Sequence, residues 1–145
     1  MYSRAYSSQS LIQFDADSLQ ALTDRAAACN EVNRITGFLQ YRSGRFFQYL
    51  EGEEKAVVAL MERIRADDRH DVLREVEMKC EVRLFPTWYM RLCTRSELAS
   101  VQLFDLLLTT LDCAETLGNE DRLQRLLSQQ IGRVAELHMR FPKRH

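Results

Sequence analysis

No two cysteines stand at the spacing of a metal or redox site. Cys29, Cys80, Cys93 and Cys113 are widely and unevenly separated, with no C-x-x-C pair, so neither a zinc centre nor a reactive dithiol is signalled and no metal is expected. They read as small buried hydrophobes. An excess of positive charge is also missing. The 20 Lys and Arg against 21 Asp and Glu give a formal net charge of -1 and a pI near 6.3, which disfavours nucleic acid or an anionic membrane as the main partner. Long apolar runs are lacking, since the longest, around Leu106-Leu107-Leu108, is far too short to span a bilayer, and there is no signal pattern; a cytoplasmic location is expected. No G-x-G-x-x-G fingerprint occurs, and after residue 97 there is no Gly-rich phosphate loop, no carboxylate set and too little chain for an effector enzyme, which argues against a nicotinamide-dependent reductase and against any catalytic output. Repeats and low-complexity tracts are absent too. An ordinary 46% apolar and 28% charged composition over 145 residues fits one globular domain with a short appendage.

What is present alternates between strand and helix patterns. Residues 1–8 form a strand with Tyr2, Arg4, Tyr6 and Ser8 on one face. After a loop over 9–16, Asp17 or Ser18 is placed to cap a helix in which Leu19, Leu22, Ala26 and Cys29 recur at helical spacing and which Asn30 closes. Residues 35–41 and 45–51 are antiparallel strands joined by the turn Arg42-Ser43-Gly44. Gly52-Glu53-Glu54 opens a second helix that runs to Asp67, with Val57, Leu60, Met61 and Ile64 inward. Val76, Met78, Cys80, Val82 and Leu84 alternate with charged residues as an edge strand, and Trp88, Met90 and Leu92 mark a fifth strand after Phe85-Pro86. Two more helices carry Leu98, Val101, Phe104, Leu108 and Leu111, then, past Gly118-Asn119, Leu123, Leu127, Ile131, Val134 and Leu137.

The order βαββαββ predicts an α+β fold, a mostly antiparallel ferredoxin-like sheet with two helices on one face and strands one and three at its centre. Residues 1–95 form the domain proper. Residues 96–145 form a helical extension whose apolar stripes suit the other sheet face, another subunit or both. In this layout Tyr6, Gln48 and either Met90 or Trp88 point to the helix side, while Phe47 and Tyr49 point away.

Gln48 is the residue that needs explaining, because it sets a side-chain amide inside the otherwise apolar strand Phe46-Phe47-Gln48-Tyr49-Leu50-Glu51-Gly52. Two N–H donors and a carbonyl are costly to bury unless something answers them, and a hydrogen-bonding ligand is one answer. Taken singly the polar candidates have ordinary readings: Tyr6 as a half-buried tyrosine, Asn30 as a helix C-cap, Gln48 as a core amide bonded to a loop carbonyl. Met90 reads as well as core packing as a functional residue, and Trp88, the single tryptophan, reads first as a core anchor.

Together and in order, these residues resemble the BLUF family, the blue-light sensors that use flavin. The resemblance is colinear over residues 1–93. It runs through Arg4-Ala5-Tyr6-Ser7-Ser8, Cys29-Asn30 with Ile35-Thr36-Gly37, then Gly44 to Gly52, Arg63-Ile64 with Asp67-Asp68-Arg69-His70, and Phe85-Pro86-Thr87-Trp88-Tyr89-Met90. It implies a noncovalent flavin, FAD with FMN as the alternative, held by Asn30 and Gln48, flanked by Leu22 and Ile64 and lying near Tyr6. Arg63 would reach the ribityl and phosphate end, with Asp67, Arg69 and His70 close by. Tyr6, Gln48, Met90 and Trp88 would be the photoactive set. An excited flavin can oxidise a phenol in contact, the proton can follow through the amide, and rotating or tautomerising Gln48 reverses its donor and acceptor ends. The chain departs from the family pattern at Cys29, where a polar residue is common, at Leu84, where arginine is common, and at Tyr89, a frequent serine position.

The expected function is therefore a blue-light photoreceptor without enzymatic activity, signalling through a downstream protein and assembling as a homo-oligomer. The alternative is a ferredoxin-like interaction module that does not respond to light.

Overall fold

The computed structural model describes residues 1–79, 81–93, 98–113 and 120–139. The chain divides into two compact units, Met1–Cys93 and Thr94–His145. The first holds β1 (Tyr2–Ser10), α1 (Ala16–Asn33), β2 (Thr36–Arg42), β3 (Arg45–Gly52), α2 (Glu54–Ala66), β4 (His70–Lys79) and β5 (Arg91–Cys93); the second holds α3 (Leu98–Asp112) and α4 (Glu120–Met139). The sheet order is β4-β1-β3-β2-β5, antiparallel throughout except for the β2–β5 pair. Its first four strands have the ferredoxin-like arrangement, with β1 and β3 central and β4 at one edge.

Local chemistry sets most boundaries. The N-cap of α1 is Asp15, not Asp17 or Ser18 as capping preference had suggested; its carboxylate accepts from the Ser18 N–H at 2.7 Å, and the Ser18 hydroxyl accepts from the Asp15 N–H at 3.0 Å. Asn30 does not close the helix. Arg34 does so by taking the left-handed conformation at φ 54°, and its N–H and that of Ile35 turn back to the Asn30 carbonyl. Ser43 and Gly44, at φ 50° and 80°, make the tight two-residue turn between β2 and β3.

The edge strand differs most from expectation. Its alternation predicts a strand from Val76 to Leu84, but β4 begins at His70 and its pairing with β1 ends at Tyr2↔Lys79. The partner strand runs out there, so Val82 is 67% exposed; Cys80 lies outside the described residues. The fifth strand is likewise shorter than read, since Trp88 and Met90 precede the ladder that pairs Arg91–Cys93 with β2.

Both helices of the first unit pack on the sheet face that carries Tyr2, Tyr6, Leu39, Phe46 and Leu50, where Val57 and Met61 of α2 are fully buried. The opposite face carries a ring cluster in which Phe38 contacts Phe47, Tyr49 and Phe85 at centroid distances of 5.1–6.0 Å. Phe47 and Tyr49 thus point away from the helices, as the period of two requires. In the second unit, Phe104, Leu107 and Leu111 of α3 and Leu123, Leu127, Ile131 and Val134 of α4 are buried, and Gln130 donates to the Thr110 hydroxyl at 2.8 Å. Leu137 was expected on the buried stripe but is exposed; the side chains of Leu98 and Val101, and Gly118-Asn119, lie outside the described residues. Among the described residues no helix is long and apolar enough to cross a membrane.

Candidate functional site

Antiparallel pairing sets Tyr6 of β1 directly opposite Gln48 of β3, so both side chains stand on the helix-covered face. The Tyr6 hydroxyl donates to Gln48 Oε1, and Gln48 Nε2 donates to Met90 Sδ at 3.2 Å. All three residues are buried. Burial first, and then the negative charges of Asp67 and Glu75, push the Tyr6 phenol above its ordinary value of 10. It therefore keeps its proton and remains a donor.

Asn30 comes from the last turns of α1. Because Arg34 satisfies the helix end, the Asn30 amide is free to cross to the segment before β5, where Nδ2 donates to the Tyr89 carbonyl at 2.9 Å. One hydrogen on each amide nitrogen is thereby used. The second N–H of Gln48 and the Asn30 Oδ1 have no partner among the described residues.

Both amides line a cavity of about 300 Å³ between α1, α2 and the sheet. Leu22 and Ala26 wall it from α1, Leu60 and Ile64 from α2, and Leu39 and Phe46 from the sheet. Leu22, Ala26, Leu60 and Ile64 are only half-buried because they face this space, while Val57 and Met61 are buried in the core against the strands. Cys29 opens onto the cavity, and Cys113 lies just past the end of α3; both are exposed rather than buried as expected, while Cys93 is buried. Phe14 adds a wall, its ring edge-on to Phe46 at 5.4 Å.

The mouth is cationic. Arg63 of α2 lines it, and so does Arg25 of α1; neither has an ion pair or hydrogen bond among the described residues. Arg69 is engaged instead with Asp67 at 2.5 Å, and its hydrogen bonds hold the Asp67 carboxyl down to about 2. His70 starts β4, where Nε2 donates to the Ile64 carbonyl and Nδ1 meets the Ser8 hydroxyl, each at 2.8 Å, with the ring edge-on to Tyr6. Trp88 lies off the cavity, stacked on Phe85 at 5.3 Å with the Arg91 guanidinium 4.5 Å from its ring.

The structure thus brings Tyr6, Leu22, Asn30, Gln48, Arg63, Ile64, Asp67, Arg69 and His70 around one space, with Met90 behind Gln48. Sequence reasoning missed Arg25, Ala26, Leu60, Leu39, Phe46 and Phe14. Helical period could have found three of them, since Leu22, Arg25, Ala26 and Cys29 share one face of α1, and Leu60, Arg63, Ile64 and Asp67 repeat that spacing on α2.

Apolar walls on two sides, two amides with hydrogen-bonding capacity left over along one edge and cations at the mouth define a receptor domain for a flat, hydrogen-bonding, anionic ligand. The isoalloxazine ring of a flavin, with its N–H and C=O edge and its phosphate tail, fits that donor set. The chain belongs to the BLUF family: the family model described as sensors of blue light using FAD matches residues 1–91. Residues 1–91 are thus a flavin-binding blue-light sensor domain. The chain is similar to the photoactivated adenylate cyclase subunit beta of Euglena gracilis, 36% identical over 97 residues, which are 66% of this chain and 11% of that subunit. Among solved structures it resembles the BlsA photo-activated state, with a TM-score of 0.63, 26% identity and coverage of 93% of this chain and 95% of that one. It also resembles Klebsiella pneumoniae BlrP1 with FMN and cyclic diGMP, with a TM-score of 0.55, 34% identity and coverage of 64% and 26%. The chain spans about a tenth of the cyclase subunit and about a quarter of BlrP1.

Proposed function

We propose that light acts through the line Tyr6–Gln48–Met90 and that the flavin is FAD. The observation that carries this reading is the hydrogen-bonded order itself: phenol to Gln48 Oε1, Gln48 Nε2 to Met90 Sδ, with the remaining amide N–H beside the cavity and without a partner among the described residues. Bound flavin supplies a strong one-electron oxidant when excited by blue light. With flavin bound and excited, Tyr6 would supply it an electron while its hydroxyl proton moves to Gln48 Oε1, and the phenol would take both back once the amide has changed, so that its O–H bond is restored. Gln48 then rotates or tautomerises, and since an amide is similar in shape but opposite in hydrogen-bonding sense at its two ends, the pattern on both sides is inverted. Met90 loses its donor. The signal is a change of hydrogen-bond polarity with no covalent bond left broken.

Asn30 and Gln48 would hold the polar edge of the ring, Leu22 and Ile64 would wall it, and the Asp67–Arg69 pair with His70 would lie toward the phosphate side. Arg63 and Arg25, reaching from facing helices, give two guanidiniums for two phosphates, which favours FAD over FMN. Mass spectrometry of the flavin released from purified protein is expected to show FAD; FMN as the sole species would contradict this. Downstream, the second unit passes the change to a protein partner or a second copy in the cytoplasm. Gln48→Leu removes both ends of the amide switch. It is expected to retain flavin and lose the light-induced red shift, and a normal shift in that variant would refute the role given to Gln48.

A further inference from the structure

Glu51 is fully buried, yet it lies three residues beyond Gln48 on β3, on the opposite sheet face, and takes no part in the light-driven step. Its two carboxylate oxygens receive four donors. The Tyr49 hydroxyl and the Leu84 N–H reach Oε1 at 3.0 and 2.9 Å; the Thr36 hydroxyl and the Phe85 N–H reach Oε2, each at 2.8 Å. A carboxylate has about four lone-pair sites, so its acceptor capacity is filled. Arg83 supplies the nearby positive charge: it donates to the Thr36 hydroxyl at 2.9 Å and to the Arg34 carbonyl at 2.6 Å.

The two backbone N–H groups that Glu51 holds belong to the start of the segment that ends in Met90. From there the chain is tied at Trp88, whose carbonyl accepts from the Gly37 N–H at 2.8 Å, at Tyr89 by Asn30, and at Met90 by Gln48. One strand therefore grips both ends of residues 84–90, Glu51 from one face and Gln48 from the other. The grips differ in kind. Gln48 donates a single N–H to a weak thioether acceptor, whereas Glu51 makes charge-assisted bonds to two consecutive amides.

We infer that Glu51 is a positioning residue, the fixed pivot about which residues 84–90 swing when Gln48 lets go of Met90. This rests on the proposed role of Gln48 and Met90. It adds that the displacement is confined to the Met90 end and that return in the dark is guided by the clamped end, because a tethered segment searches few conformations.

The test is site-resolved amide exchange on the full flavin-loaded chain in darkness and under continuous blue light. The Leu84 and Phe85 amides are expected to exchange at the same rate in both, while the Gly37 amide exchanges faster in light. Acceleration of Leu84 and Phe85 alongside Gly37 overturns the pivot. In Glu51→Gln, which sets an NH2 group against a donor, dark recovery is expected to slow by about tenfold with the red shift retained. Recovery at the parent rate or faster overturns the inference. Asp15→Ala, a capping loss far from the segment, serves as the control for general destabilisation and is expected to recover at the parent rate. Absence of any red shift in the parent chain would instead count against the photoreceptor mechanism and is read separately.

Discussion

Tyr6 shows how burial fits one side chain to its task. A phenol in water loses its proton near pH 10, but the folded environment of Tyr6 penalises the phenolate. Because the folded value is raised, the stabilisation from this group is complete below about pH 10 and is lost only as pH climbs beyond it. Asp67 behaves in the opposite sense: Arg69 lowers it to about 2, so its pairing is complete above its ordinary value near 4 and is lost as pH falls toward 2. Tyr6 is therefore expected to stay protonated up to at least about pH 10; loss of the light-induced shift with a midpoint between about pH 8 and pH 10 that is kept in His70→Gln would contradict the assignment of Tyr6 as protonated donor. Tyr6→Phe is expected to keep flavin and lose the shift, and by leaving Gln48 Oε1 without its donor to cost about 1–3 kcal/mol in urea unfolding. At this scale much of the site was legible. An amide inside an apolar strand and a tyrosine at the matching register are visible as residue types, because sheet periodicity is strict. Phe14 was not legible, since a loop aromatic reveals its wall only when the chain turns back on itself.

At the scale of elements, periodicity identified strands and helices but not where ladders end. The alternation from Val76 to Leu84 continues past Lys79, yet a strand lasts only as long as its neighbour, and β1 begins at Tyr2. Asn30 was misread as a helix terminus because capping preference cannot foresee that Arg34 adopts φ 54°. Gly37 gives the sharpest prediction here. At φ 155°, a Cβ on it would meet the Tyr49 carbonyl oxygen at 1.8 Å, a backbone atom that cannot yield without parting β2 from β3. Gly37→Ala is expected to lose at least about 3 kcal/mol of stability in denaturant titration. A loss below about 1 kcal/mol would show that the two strands can shift. The cap of α1 is a milder case: Asp15→Ala should cost about 1 kcal/mol by the same assay.

For the whole molecule, the matched family region ends at residue 91, while the second unit has its own buried stripe of leucines and an Ile131–Val134 pair. A sensor whose chemistry is confined to the first unit must hand its signal onward, and the proposal assigns that step to the helices of the second. Hydrogen exchange over residues 97–145 is expected to differ between dark and lit protein; identical exchange would exclude the extension as the output. The family assignment itself rests on ordered motifs that composition could not supply, since a near-neutral charge and an ordinary apolar fraction are shared by most globular chains. The central claim is that Tyr6, Gln48 and a bound flavin form a light-sensitive hydrogen-bond switch. It is tested most directly by the absorption spectrum of the purified, flavin-loaded protein before and after blue illumination. The account predicts a flavin spectrum that shifts slightly to the red and recovers in darkness. A bound flavin whose spectrum stays unchanged under illumination, or a protein that takes up no flavin, would contradict it.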